Sequence, residues 1–164
     1  MTRARYYAGI GSRATPTEVL SVMREAAQAL AGRGYILRSG GAVGADSAFE
    51  GGADLDGGRK EIFYAESSIP TWAFDSVERY HPAPNRLTAR ARRLMARNAM
   101  QVLGMGGGEP VAFVLCWTPG GTGKGGTGQA LRIATDYGIP IFDLARPEVM
   151  ARVNRFLARA RRSA

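Results

Sequence analysis

Short apolar runs alternate along this chain with longer stretches in which apolar residues recur every third or fourth position. RYYAGIG (5–11) predicts a first strand, YILRSGG (35–41) a second and EIFYAE (61–66) a third. VAFVLCW (111–117) is the most apolar run, and its lack of alternation predicts a strand covered on both faces. IPIFDLA (139–145) predicts a fifth. Between the first two, Pro16 to Arg33 reads as a helix with Thr15 as N-cap and proline in the first turn. Val19, Val22, Met23, Ala26, Ala27 and Leu30 form its buried face, and Gly34 stops it. Further helices are expected up to Ala53, over Leu87–Leu103, after the Gly-rich stretch TPGGTGKGGTG, and over Pro147–Arg161. Val149, Val153, Phe156, Leu157 and Ala160 make the apolar stripe of the last, and the terminal ARRSA is expected to fray. Residues 67–85, with prolines at 70, 82 and 84, read as an irregular segment of the length typical of lids and binding loops.

Strands alternating with helices predict an α/β fold. The expectation is a Rossmann-like three-layer arrangement, with a mostly parallel sheet of about five or more strands flanked by helices. One domain over residues 1–164 accounts for the whole pattern, with 146–164 as a basic C-terminal helix.

Three strand-to-helix turns stand out: GIGSRATP (9–16), SGGAVGAD (39–46) and PGGTGKGGTGQ (119–129). In a parallel sheet all three lie at the carboxyl ends of strands, where ligands bind. Glycine there permits positive φ and close approach of a ligand to the backbone. The free N–H groups of the helix starts favour an anion by about 0.3–2 kcal/mol per helix end. None is a Walker A loop, because Lys124 is followed by Gly125 and not by Ser or Thr. None is a GxGxxG with an acid about 20 residues further on. A phosphate-containing or nucleotide ligand is therefore expected, bound in neither of the two commonest ways. Asp46 has two readings, as a cap for its own turn or as acceptor for a ligand hydroxyl such as a ribose. Ser12 and Ser39 are open between turn bonding and ligand contact in the same way.

Charge changes the picture in two segments. The net charge is +8. Residues 86–97 carry Arg86, Arg90, Arg92, Arg93 and Arg97 with no acid, and residues 146–164 carry six arginines against Glu148. Basic patches of this kind fit polyanions such as nucleic acid, or a solvated face. Arg86, Arg90, Arg93 and Arg97 fall four, three and four apart, one stripe on a helix, while Leu87, Ala91, Leu94, Met95 and Val102 face the core. The N-terminus has no long apolar run and no stretch approaches a membrane span, so neither a secretory leader nor membrane insertion is expected. The single cysteine, Cys116, lies in an apolar strand and forms no internal disulfide, which fits a reducing, cytoplasmic setting. No His/Cys cluster predicts a metal site, and no cofactor beyond the nucleotide-like ligand is implied.

GIGSR after the first strand, SGGAVGADSAFEGGA after the second, ARNAMQ on the basic helix and GGTGQAL after the apolar strand together resemble the SLOG superfamily. Within it they look most similar to small phage and prophage DprA-like DNA recombination mediators, with YspA-like proteins as near relatives. The resemblance covers about residues 5–145. It implies a Rossmann-like fold, a site for nucleotides or nucleic acid, and a homodimer or larger assembly. DprA proper binds single-stranded DNA and loads recombinase, other members sense nucleotide-derived signals, and the LOG enzymes cleave the base from nucleoside monophosphates. A cytoplasmic protein, bacterial or phage-encoded, follows from the same likeness. The family's arginine–asparagine pair falls on Arg97 and Asn98, which it places at the site. Of the LOG pattern PGGxGTxxE, Pro119, Gly120, Gly121 and Gly123 match. Lys124 replaces its threonine and Thr127 its glutamate. Sliding to GGTGQALR (125–132) puts Gln129 and Arg132 near the acid's place, so neither register supplies a carboxylate.

The expected ligand site therefore draws on Gly11, Ser12 and Arg13, on Ser39, Gly40, Gly41, Gly44 and Asp46, and on Arg97 and Asn98. Trp117, Thr118, Gly125, Gly126, Thr127 and Gln129 complete it. Arg86, Arg90 and Arg93 are the candidates for single-stranded DNA. Asp46, Glu50, Glu66 and the lone His81 are the only candidates for catalysis. Trp72, Phe74 and Tyr80 either stack on a base or pin their segment to the body. Three function classes follow: a binder of a nucleotide or nucleotide-derived ligand with single-stranded DNA as a further partner, a nucleotide N-glycosidic-bond hydrolase, and an interaction module acting through its arginines.

Overall fold

The first apolar run becomes strand β1 (Arg5–Gly9), and the chain then alternates as its pattern predicts. α1 (Thr17–Gly32) leads to β2 (Tyr35–Ser39), α2 (Ala45–Leu55) to β3 (Lys60–Ile62), and α3 (Thr71–Tyr80) to α4 (Ala89–Leu103). β4 (Val114–Cys116), α5 (Gly128–Asp136), β5 (Ile141–Asp143) and α6 (Pro147–Arg162) complete the chain. A computed structural model describes residues 3–163. The sheet has five strands in the order β3-β2-β1-β4-β5, with every neighbouring pair parallel. β2 and β3 step outward to one side of β1, and β4 and β5 to the other. The order therefore reverses between β1 and β4, where the turns after the two strands part and leave a crevice.

Both faces of the sheet are covered. Ala8, Val114 and Cys116 join residues of α3, α4 and α5 in one core, while Tyr7, Leu37 and Leu115 join α1, α2 and α6 in the other. Neighbouring strand residues thus alternate between two buried layers, which is why β4 reads as an unbroken apolar run. Arg38 is the exception within β2. It is 0% exposed, its Nε donates to Glu61 at 2.7 Å, its Nη1 to the Glu109 carbonyl, and its guanidinium lies over the Tyr6 ring.

Several expectations need correction. Residues 67–85 are not irregular, because Ala73, Ser76 and Val77 bury one face of α3. The prolines flank that helix: Pro70 sits at its N-cap and Pro82 just beyond its C-cap, His81. Trp72, Phe74 and Tyr80 pack against the α3–α5 core, which pins the segment. Thr15 does not cap α1. Pro16 holds that position with extended backbone, and the Thr15 hydroxyl donates instead to the Ser12 carbonyl at 2.5 Å, closing the turn. Thr88 caps α4 by accepting the Ala91 N–H, so Leu87 and Arg86 lie outside the helix, Arg86 in a 3-10 turn (Pro84–Arg86). The strands pair over fewer residues than their apolar runs, since Phe63 and Val111 belong to the core without lying in a strand. Helix α6 continues through Arg162, past the expected fraying point, and Ala164 lies outside the described residues. No helix of the described residues is long and apolar enough to cross a membrane.

Candidate functional site

At the reversal between β1 and β4 the carboxyl edge opens into a cleft of about 340 Å³. Ile10, Gly11, Ser12 and Arg13 from the β1–α1 turn form one side, and Ala42 and Asp46 at the start of α2 form another. Leu94, Met95, Arg97, Asn98 and Gln101 from α4 make the far wall, and Gly126 and Thr127 close it just before α5. Two expected glycine turns and the arginine–asparagine pair therefore meet in one place, and the third turn contributes its last residues.

Each polar residue is held in a particular way. The Ser12 hydroxyl oxygen accepts the Ala14 N–H at 3.0 Å, so it serves its own turn while lining the cleft. The Asp46 carboxylate accepts the Ala42 N–H at 3.1 Å, pinning the β2–α2 turn. Burial pushes its pKa up, against the opposing pull of the Arg97 charge and the Ala42 N–H. Arg97 donates from Nη1 to the Gly40 carbonyl at 2.8 Å, and its buried Nε has no hydrogen-bond partner. Burial lowers the Arg97 pKa and Asp46 opposes that shift. Asn98 donates to the Gly126 carbonyl at 2.8 Å and ties the Gly-rich loop to α4.

The glycines of SGGAVGAD prove to be positioned by the protein's own side chains. A Cβ on Gly40 would run into the Arg97 guanidinium and the Gln101 amide, and one on Gly41 into the Tyr64 ring. A Cβ on Gly44 would touch the Ser12 and Arg13 backbone only at ordinary contact distance, but Gly44 sits at φ 100°, at the N-cap of α2. Gly40, Gly41 and Gly44 shape the turn that carries Ala42 and Asp46, and none of the three lines the cleft itself.

Other expected residues lie elsewhere. The Ser39 hydroxyl donates to the Gly9 carbonyl at 2.6 Å and is fully buried, a strand-to-strand tie. Trp117 packs toward the α1/α6 layer. Thr118 donates its hydroxyl to Asp143 and accepts the Gly123 N–H at 2.9 Å, so it braces the Gly-rich loop from below. Gly125 is exposed outside the cleft, and Gln129 is 0% exposed, bonded to the Ser76 carbonyl and to Arg132. His81 accepts the Ala83 N–H in the turn after α3. Glu50 pairs with Lys60 and Glu66 with Arg90, both outside the cleft. Among the carboxylates of the described residues only Asp46 lines it.

The arginine stripe is not a free cationic face. Arg93 donates to the carbonyls of Ala65 and Ser67, each at 2.7 Å, and Arg97 turns inward to Gly40. Arg90 sits in an exposed ion pair and Arg86 stands apart on its 3-10 turn. Long side chains reach back over the segment after β3, which supplies carbonyls that no strand partner uses. Sequence reasoning missed Ile10, Ala42, Leu94, Met95 and Gln101. Leu94 and Met95 were expected to face the core; both are half-buried on the cleft wall, and Met95 also packs against the core as expected. Gln101 carried a usable signal: a polar residue one turn beyond Arg97 and Asn98, on the face that buries Ala96 and Ala99. Among the described residues no cluster of three His, Cys, Asp or Glu side chains is placed to hold a metal ion.

No protein-family model matches this chain, and no curated protein matches it either. Among solved structures, the X-ray structure of DNA processing protein A (DprA) from Streptococcus pneumoniae superposes with a TM-score of 0.57 at 19% sequence identity. The match covers 85% of this chain and 50% of that one, so this chain spans half the length of the protein it resembles. At that identity the likeness is one of fold: this chain has a DprA-like, Rossmann-like architecture.

Proposed function

We propose that the cleft between β1 and β4 binds a nucleotide or nucleotide-derived ligand. The observation that carries this reading is Arg97, a guanidinium lining the cleft whose buried Nε lacks a partner. A buried donor left unpaired costs about 1–3 kcal/mol, more when charged, and the Arg97 charge, in no ion pair with a carboxylate among the described residues, attracts an anionic ligand into the cleft. Ile10, Leu94 and Met95 offer an apolar wall for a base, and Ser12, Asp46 and Gln101 offer polar groups for a sugar. The start of α5 at Gly128 adds backbone donors beside Thr127. The cleft volume falls within the range of small-molecule sites.

Binding is favoured over base cleavage by the carboxylate inventory. Cleavage of an N-glycosidic bond generates a cation-like sugar that a carboxylate stabilises, or needs a carboxylate to activate water. Asp46 alone is present, and one of its two oxygens already serves the Ala42 N–H. The test is mass spectrometry of ligand released on denaturing the purified protein, followed by calorimetry with mono-, di- and triphosphates of each nucleoside. Arg97→Ala should weaken binding by about tenfold or more, the equivalent of one charge-assisted contact. Equal affinity in the variant, or base release that Asp46→Asn abolishes, would overturn the reading.

A second reading, single-stranded DNA as partner, is favoured by the fold shared with a DNA processing protein together with the net charge of +8.

A further inference from the structure

On the α1/α6 side, toward the amino ends of the strands, the packing leaves a second concavity of about 450 Å³. Its body is aromatic: Tyr35, Phe113, Phe142 and Phe156 line it, with Leu30 and Leu115 at its base. The rings are ordered against one another. Phe113 meets Tyr35 at 5.6 Å and Phe142 at 5.8 Å edge to face, and Tyr7 stacks behind it at 5.5 Å. Three guanidiniums, Arg33, Arg152 and Arg159, border the groove. Arg33 lies over the Phe156 ring at 4.7 Å and Arg152 over the Phe142 ring at 5.0 Å, so two charges are held against the lining rings. None of the three is paired with a carboxylate among the described residues, although Arg161, two positions from Arg159, pairs with Glu25.

We propose that this groove is a binding site for an apolar monocarboxylate, a molecule with an aromatic or hydrocarbon body and one anionic end. The charge pattern decides the class. Three unpaired cations around an apolar hollow repel an organic cation and attract an anion. The hollow is lined by rings and aliphatic side chains, with the guanidiniums at its border, so a polar body such as a nucleoside would leave its own donors unmet. A carboxylate at the rim meets guanidinium geometry in a bidentate way. The volume suits a small ligand. The groove and the carboxyl-edge cleft share no lining residue, so the site is separate from the one proposed above.

Isothermal calorimetry with decanoate, kept below its micellar concentration, tests the proposal, supported by displacement of the fluorescent aromatic anion anilinonaphthalene sulfonate. Decanoate should bind and displace the dye. Decyltrimethylammonium and decanol should each bind at least about tenfold more weakly. The double variant Arg152→Gln, Arg159→Gln alters two exposed side chains and should lose about a hundredfold in decanoate affinity with an unchanged melting temperature. Val153→Trp, which fills the hollow, should abolish dye binding while the double variant retains some. Equal binding of the alkyl cation, full affinity in the double variant, or no decanoate binding at millimolar concentration would overturn the proposal and leave a groove that α6 packs loosely. Capture of an acidic aromatic peptide with no decanoate binding would overturn it too, in favour of a protein partner.

Discussion

Gly40 and Gly44 separate two uses of glycine that the sequence presents as one motif. Gly40 is a matter of space: the atoms a Cβ would meet are the tips of Arg97, which is bonded to the Gly40 carbonyl, and of the buried Gln101. Gly40→Ala should therefore cost about 1–3 kcal/mol, displace the guanidinium at the cleft and lower nucleotide affinity. Gly44 is a matter of backbone: at φ 100° a side chain strains the chain by about 1–3 kcal/mol, although its Cβ would meet Ser12 and Arg13 only at ordinary contact distance. Gly44→Val should affect binding less than Gly40→Ala does for a comparable loss of urea midpoint, and the reverse ranking in binding would show that the backbone itself meets the ligand. Asp46 makes a third residue-scale case. Its carboxyl is raised by burial, so the folded protein holds this proton more tightly than the unfolded chain does. Between the ordinary value of about 3.9 and the raised one, its contribution to stability falls as pH rises. Asn at this position still accepts the Ala42 N–H but cannot titrate. Urea midpoints of Asp46→Asn should accordingly show a flatter pH profile through the weakly acid range, and identical slopes would mean that Asp46 titrates as an exposed acid.

At the scale of elements, legibility followed periodicity. α1 was readable because Val19, Met23, Ala26, Ala27 and Leu30 repeat at helical spacing and bury as expected, and α6 because Val149, Val153 and Phe156, half-buried, pack at the same spacing against the same layer. α3 was hidden because its prolines at 70 and 82 mark its ends, and the same residues read as breakers when the ends are not known. The cleft was legible wherever it is made of turns or of a polar residue at an unusual place, as with Gly11, Ser12, Asp46, Arg97 and Asn98. It was illegible at Leu94 and Met95, because apolar residues on a cleft wall and apolar residues in a core follow one pattern. The brace beneath the Gly-rich loop was illegible for another reason. Asp143 ends β5, and only the β4–β5 register brings it beside Thr118. That brace predicts a behaviour. Thr118→Val removes a donor to a buried carboxylate and the acceptor of the Gly123 N–H, so it should cost about 1–3 kcal/mol. It should also loosen the loop carrying Lys124, which is exposed. Faster tryptic cleavage after Lys124 in the native variant is the expected sign, and cleavage at the wild-type rate would mean that Asn98, through Gly126, holds the loop alone.

At the scale of the whole molecule, the question is what the excess positive charge does. Counterion release makes the logarithm of single-strand affinity fall with the logarithm of salt by about 0.7 per phosphate contacted. A free stripe of Arg86, Arg90, Arg93 and Arg97 would then give a slope of about −2.8. The structure removes two members, since Arg93 and Arg97 spend their donors on the carbonyls of Ala65, Ser67 and Gly40. Arg86 remains exposed, and Arg90 is held only by an exposed, solvent-screened pair with Glu66 that is easily exchanged for phosphate. If DNA binds along α4, the expected slope is therefore about −1.4, and a fourfold rise in salt should cost about sevenfold in affinity. Fluorescence anisotropy of a labelled oligothymidylate across a salt series measures it directly. Arg86→Ala and Arg90→Ala should each reduce the slope by about 0.7, whereas Arg155→Ala, on the opposite side of the sheet, should leave it unchanged. A slope near −2.8 would mean that the inner arginines leave their carbonyls to meet the strand. A slope unaffected by Arg86 and Arg90 but reduced by Arg155 would move DNA to α6 and leave the carboxyl edge to the small ligand alone.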